Sequence, residues 1–273
     1  MKRTIFFSLI FLLLCSQTII AQKSIYQQSF YQLRLATAVV GIENVVITDA
    51  LDASNKIVHT ASFDMLLLDN ESSRLVLSSF QNKMATPISI YTCNINREIS
   101  EEKVYTNVTV QEIVLPALNA SDRSVVKATV KISAGTVEIV KAGGKALGIA
   151  SKGYSNTIVS NFRVVMGILP CNKIYKLTSV SIRPGDKLTQ NLNIEMSAVD
   201  ATQWNEWFLT GAGGVKKEQG YIQLLAPDLR GVMYTIQLTD VDIVSFSISS
   251  ATSAPQAMQR ATIGLRVRKV SIK

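Results

Sequence analysis

Seven short segments recur in the same order in the two halves of this 273-residue chain, and no other sequence feature constrains its fold as much. Ser29-Phe30-Tyr31-Gln32-Leu33 matches Asn161-Phe162-Arg163-Val164-Val165, and Ser62-Phe63-Asp64-Met65 matches Asn193-Ile194-Glu195-Met196. Ile88-Ser89-Ile90 matches Ile222-Gln223-Leu224, Tyr105-Thr106 matches Tyr234-Thr235, and Glu112-Ile113-Val114 matches Asp242-Ile243-Val244. Lys127-Ala128-Thr129-Val130 matches Arg260-Ala261-Thr262-Ile263, and Val137-Glu138-Ile139 matches Val270-Ser271-Ile272. The offset stays between 129 (Tyr105 to Tyr234) and 134 (Ile88 to Ile222). Any one pair is uninformative, because β-rich sequences share alternating Val, Ile and Thr. Seven in one order at nearly one spacing read as a tandem duplication over 28–140 and 160–273.

Within each copy, short alternating runs such as Tyr221-Ile222-Gln223-Leu224-Leu225 have the period of half-buried strands. One helix interrupts each set. Asp200 stands in the capping position of the second, with Gln203 three residues on, and Trp204, Trp207 and Phe208 share one helical face. Glycines at 211 and 213–214 end it. In the first copy Asp69 takes the cap position, and Val76 and Phe80 form a thinner apolar face. The predicted fold is mainly β: two tandem barrel or sandwich domains, each with one amphipathic helix.

Lys2 and Arg3, the apolar run 5–14 and Ala21 form a secretory leader, with cleavage expected after Ala21 and Gln22 as the new N-terminus. Cys15 is not a lipidation site, because bulky Leu14 precedes it. Removing the leader takes the formal charge from +8 to +6 through the loss of Lys2 and Arg3. No basic run is dense enough to indicate nucleic acid. The domain reading is therefore a leader over 1–21, a first domain over 22–140, a flexible linker over 141–159 and a second domain over 160–273. Gly143-Gly144-Lys145 within the linker is not a phosphate loop, since Ile139 stands where an earlier glycine is required and Ala146 replaces Ser or Thr.

The order of the second copy resembles phage tail-tube proteins and the related tube protein of type VI secretion, the haemolysin-coregulated protein. Ile194-Glu195-Met196 leads into Trp204-Asn205-Glu206-Trp207-Phe208, then Gly220-Tyr221-Ile222-Gln223-Leu224-Leu225, then Val241-Asp242-Ile243. The resemblance spans about 110 residues of this copy and, more weakly, the first. It departs from the family in the leader and in carrying two domains per chain. It implies six domains in a ring, rings stacked about a lumen, and neither catalysis nor a cofactor. With two domains per chain, three chains would close a pseudo-six-fold ring. The expectation is thus an exported structural protein, periplasmic or extracellular, without a transmembrane segment in the mature chain, whose partners are itself and envelope or secretion-apparatus proteins of unknown identity. The alternative is a monomeric, adhesin-like binding module for a glycan or a protein.

Candidate chemistry is sparse. His59, the sole histidine, lies in a strand-like stretch without a Gly-x-Ser-x-Gly elbow in the chain. Asp240 and Asp242 would share a strand face as paired carboxylates, with Glu112 the counterpart in the first copy. Asp64, Asp69 and Glu71 do not have the spacing of a calcium loop. Trp204 and Trp207 would stack on sugars if exposed, but read as the buried stripe of the helix. Cys93 and Cys171 occupy non-equivalent positions, so a bond between them would staple domain to domain. Arg266 with Arg268, and Lys127 with Lys131, alternate onto one strand face, which would make a lumen basic if that face lined one. No catalytic, cofactor or metal-binding residue is assigned.

Overall fold

The computed structural model describes residues 30–81, 87–148, 155–185, 189–211, 218–249 and 259–273. The leader and its cleavage site lie outside the described residues. The first half runs β1 (Phe30–Leu35), β2 (Ala38–Leu51), β3 (Ile57–Leu66), α1 (Glu71–Gln81), β4 (Ile88–Cys93), β5 (Ile99–Thr106), β6 (Thr109–Leu115), β7 (Leu118–Asn119), β8 (Lys127–Ala134) and β9 (Thr136–Val140). The second runs β10 (Phe162–Met166), β11 (Ile174–Leu177), β12 (Val180–Ile182), β13 (Gln190–Ser197), a 3-10 turn (Ala198–Ala201), α2 (Thr202–Gly211), β14 (Glu218–Leu225), β15 (Val232–Ile248) and β16 (Arg260–Ile272). The protein is mainly β, as predicted.

Period-two alternation places the core. Ala61, Phe63 and Met65 of β3 are buried, as are Leu192, Ile194 and Met196 of β13, while the residues between them face outward or are half-buried. Nine strands form one sheet in the order β12-β6-β8-β3-β2-β1-β4-β5-β9. Because β9 continues β8 through Gly135, and β5 leads into β6, this sheet curls until the ends of one long hairpin close it. The other sheet has the order β10-β14-β15-β16-β13-β11-β7 and stays open between β10 and β11. Buried apolar residues of both halves form one continuous cluster.

The two halves repeat one set of pairings. Phe63 opposes Val130 as Ile194 opposes Ile263, and Leu33 opposes Ile90 as Val164 opposes Ile222. Tyr105 opposes Val137 as Leu238 opposes Val270. A register shift between Val110 and Glu112 recurs between Ile243 and Ser245. Gly264 faces that second bulge, where a Cβ would clash with Ser245 Oγ. Pairing therefore raises the offset steadily, from 131 (Phe63 to Ile194) to 132 (Ile90 to Ile222) and 133 (Val130 to Ile263). It corrects four of the seven sequence matches: the partner of Tyr105 is Leu238 rather than Tyr234, and Glu112 corresponds to Ser245 rather than Asp242. Leu33 and Ile88 correspond to Val164 and Gly220. Similar Val, Ile and Tyr residues slide past one another in sequence, whereas hydrogen-bonded register cannot slip without turning every side chain to the other face.

Both helix caps differ from the sequence reading. Asn70, not Asp69, caps α1: its Oδ1 accepts the Ser73 amide at 2.7 Å, and Asp69 instead accepts from Arg74 Nη2 at 2.6 Å. Asp200 lies inside the 3-10 turn, so its side chain cannot cap α2; Ser197 precedes the turn without a side-chain bond. The apolar faces stand as read. Val76 and Phe80 are buried, and Trp204 and Trp207 are 0% and 5% exposed, with Phe208 half-buried. The Trp204 indole donates to the Pro170 carbonyl at 2.9 Å and meets Trp207 edge-on at 6.2 Å.

The described ends of segment 141–159 are docked, which corrects the reading of a flexible linker. Gln32, buried on β1, donates to the Leu147 carbonyl (2.8 Å) and accepts the Leu147 amide (3.0 Å). The Thr157 hydroxyl donates to the Leu67 carbonyl at 2.8 Å, and the Val126 amide donates to the Thr157 carbonyl at 2.8 Å. A buried amide side chain and a strand edge need partners, and the connecting backbone supplies them.

Candidate functional site

The halves meet along a strand ladder that the sequence did not reveal. Ile113, Val114 and Leu115 oppose Ile182, Ser181 and Val180, and the same antiparallel register continues with Leu118 and Asn119 opposite Leu177 and Lys176. Pro116, which has no amide hydrogen, sits in the gap between the two stretches. Each half thereby adds a strand to the sheet of the other. Ile113, Leu115, Leu118, Leu177, Val180 and Ile182 are all buried, each contributing about 1.5–3 kcal/mol gross to folding.

Polar groups rim this seam. Ser181 Oγ and Arg183 Nε donate to Glu112 Oε1 at 2.5 and 3.1 Å. The Ser181 hydroxyl, and then the Arg183 guanidinium, hold the Glu112 carboxyl below its ordinary value. Lys176 Nζ (2.8 Å) and the Tyr175 hydroxyl (2.9 Å) donate to Glu195, whose carboxyl is lowered first by Lys176. The Arg260 guanidinium lies 4.8 Å over the Tyr175 ring. Gln190 ties β12 to the start of β13, accepting the Ser181 amide (3.0 Å) and donating to its carbonyl (2.6 Å).

Elsewhere, apolar side chains stand in solvent on strand edges. Val46 and Leu51 of β2 are 60% and 66% exposed, Ile57 of β3 is exposed, and so are Val244 and Ile248 of β15. Open clefts among the described residues include two of note. One, of about 710 Å3, runs between α1 and the C-terminal strand, with Arg74, Leu75, Gln81, Tyr234 and Lys273 on its walls. Gln81 closes its floor by exchanging hydrogen bonds with the backbone of Ile272. The other, of about 690 Å3, is lined by Thr189, Thr239, Asp240, Arg266, Arg268 and Lys269.

The remaining candidates do not converge on a reacting centre. His59 Nδ1 lies 2.8 Å from Asp49 Oδ1 on the β2–β3 hairpin, as a cross-strand pair at the surface. Asp242 is buried against Arg266 Nε and Nη2 (3.0 and 2.8 Å). Asp240 takes a left-handed φ of 54° where the ladder to β14 shifts, so the two carboxylates are not a regular strand pair. Glu112 belongs to the seam. Asp64 is occupied by Asn44 (2.7 Å) and Thr129 (2.6 Å), and Asp69 by Arg74. Among the described residues no three His, Cys, Asp or Glu side chains gather as a metal site. Cys93 is buried and Cys171 half-buried; neither forms a disulfide, and burial raises the Cys171 thiol to about 11. The basic strand faces are partly neutralised, with Lys127 on Glu43 at 2.5 Å and Arg266 on Asp242.

No helix among the described residues is long and apolar enough to cross a membrane. No family model and no curated protein matches the chain.

Proposed function

We propose that this protein is an exported, non-enzymatic structural subunit that assembles with copies of itself into rings or tubes, in the manner of the tail-tube proteins its second half resembles. One observation carries the reading: two β domains with the same pairings associate side by side through the edges of their sheets. An association built on backbone hydrogen bonds needs little sequence specificity, so it extends readily from domain pairs to chains. Three chains would supply six domains and close a ring whose true symmetry is three-fold.

Native mass spectrometry of the protein freed of its leader, with negative-stain images, tests the reading. Trimers or their multiples, seen as rings, support it. A monomer at every concentration favours the adhesin-like binding module instead, with the cleft beside α1 as its natural ligand surface.

A further inference from the structure

The contact between the two halves has unused counterparts on the outside of the chain. In the seam, the outer edge of β6, at Ile113, Val114 and Leu115, receives β12 from the second half. Val130 opposes Ile113 on β8, and Ile263 opposes Phe246 on β16 in the equivalent place. The second-half counterpart of the receiving edge is therefore Phe246, Ser247 and Ile248 of β15. These residues pair with β16 on one side only, and among the described residues their other edge is open.

The donating strand has a counterpart as well. β12 follows β11, whose Lys176 opposes Glu195, and Glu195 corresponds to Asp64. Glu43 opposes Asp64 on β2, so the stretch that follows it, 46–51, holds the chain position of β12, although it stays paired with β3 where β12 has left β13 for β6. It pairs with β3 on one side, and among the described residues no strand pairs its other edge. Exposure agrees with this assignment. Leu115 and Val180 in the seam are 2% and 1% exposed, whereas Ile248 and Val46 on the open edges are 51% and 60% exposed. In the β6–β12 part of the seam, the second half thus gives a strand while its own β15 edge lacks one, and the first half receives a strand while its stretch 46–51 remains to be given.

We infer that a second copy of this chain docks edge to edge here, residues 46–51 of its β2 adding antiparallel to Phe246, Ser247 and Ile248 of β15. This contact repeats the one inside the chain, so every sheet edge of that kind is used and the direction from half to half never reverses. Such head-to-tail contacts close into a ring or continue as a filament. The inference rests on the self-assembly reading and names its surface.

Ile248→Lys and Val46→Lys place a charge on each exposed edge without touching the core, and Ile139→Lys, on the separate open edge of β9, is the control. Each mature variant is sized by native mass spectrometry over a range of concentrations, with far-ultraviolet dichroism confirming its fold. Ile248→Lys and Val46→Lys should each weaken association about tenfold or more, and Ile139→Lys should not. Combining Ile248→Lys with Val46→Glu in one chain should restore assembly, because every head-to-tail contact then pairs opposite charges. Hydrogen exchange on the wild type adds a readout free of mutation: amides of 46–51 and 246–248 should become protected on assembly. If the wild type assembles while both edge variants assemble equally well, or only Ile139→Lys fails, the seam assignment is wrong and the self-assembly reading survives. A wild type that is monomeric throughout overturns both.

Discussion

Truncating Trp204 to alanine should unfold the second half more readily than any other single truncation on α2. The side chain is fully buried, touches Trp207 edge to face and satisfies the Pro170 carbonyl. Removing a buried indole costs about 3–5 kcal/mol in transfer and cavity terms. Leaving the Pro170 carbonyl without its donor adds about 1 kcal/mol. The sum of about 4–6 kcal/mol corresponds to a melting shift of about 8–12 °C for a chain of this size, at about 2 °C per kcal/mol. Trp204→Phe separates the two contributions, since it keeps most of the ring volume and loses the N–H; about 1–2 kcal/mol is expected. Both variants are compared with wild type by thermal and urea unfolding, with an unchanged urea slope showing that the unfolded state is the same. A shift below about 2 °C for Trp204→Ala would mean that the Trp face is not core, and sugar stacking on it would return as a function.

Replacing Glu112 with Gln should weaken the seam by about 1–2 kcal/mol near neutral pH, because Ser181 and Arg183 lose a charged acceptor. The folded carboxyl sits below its ordinary 4.5, so its contribution is complete above that value and disappears as pH falls through the folded pKa. Wild type and Glu112→Gln should therefore differ in melting temperature near pH 7 and converge once the pH has fallen through the folded pKa; a constant gap down the whole acid range would count against the assignment. Asn70→Ala should cost about 1 kcal/mol through the lost cap, and Asp69→Ala, which breaks an exposed pair, about 0–0.5 kcal/mol, as read from urea midpoints. Intact mass of the exported protein should begin at Gln22, and a mass retaining Met1 or carrying lipid on Cys15 would refute the leader reading.

The sequence alone determined the β character, the presence of one helix in each half and the buried face of α2. These follow from periodicity and composition within a few turns of chain: alternation at Ala61, Phe63 and Met65, and the spacing of Trp204 and Trp207. Repetition showed that the halves are alike, but not their register, because Tyr105 resembles Tyr234 as a side chain while pairing as Leu238 does. The caps also escaped. Asp69 and Asn70 are both capping residues, and only the entry angle of the chain chooses between them.

The seam was decided by tertiary structure alone. Val180-Ser181-Ile182 reads locally as a short strand, yet nothing in its side chains says that it leaves β13 to lie on β6. Strand partners are chosen by backbone donors and acceptors, which every residue but proline carries alike. Their long-range pairing is fixed by which sheet edges the folded halves leave open.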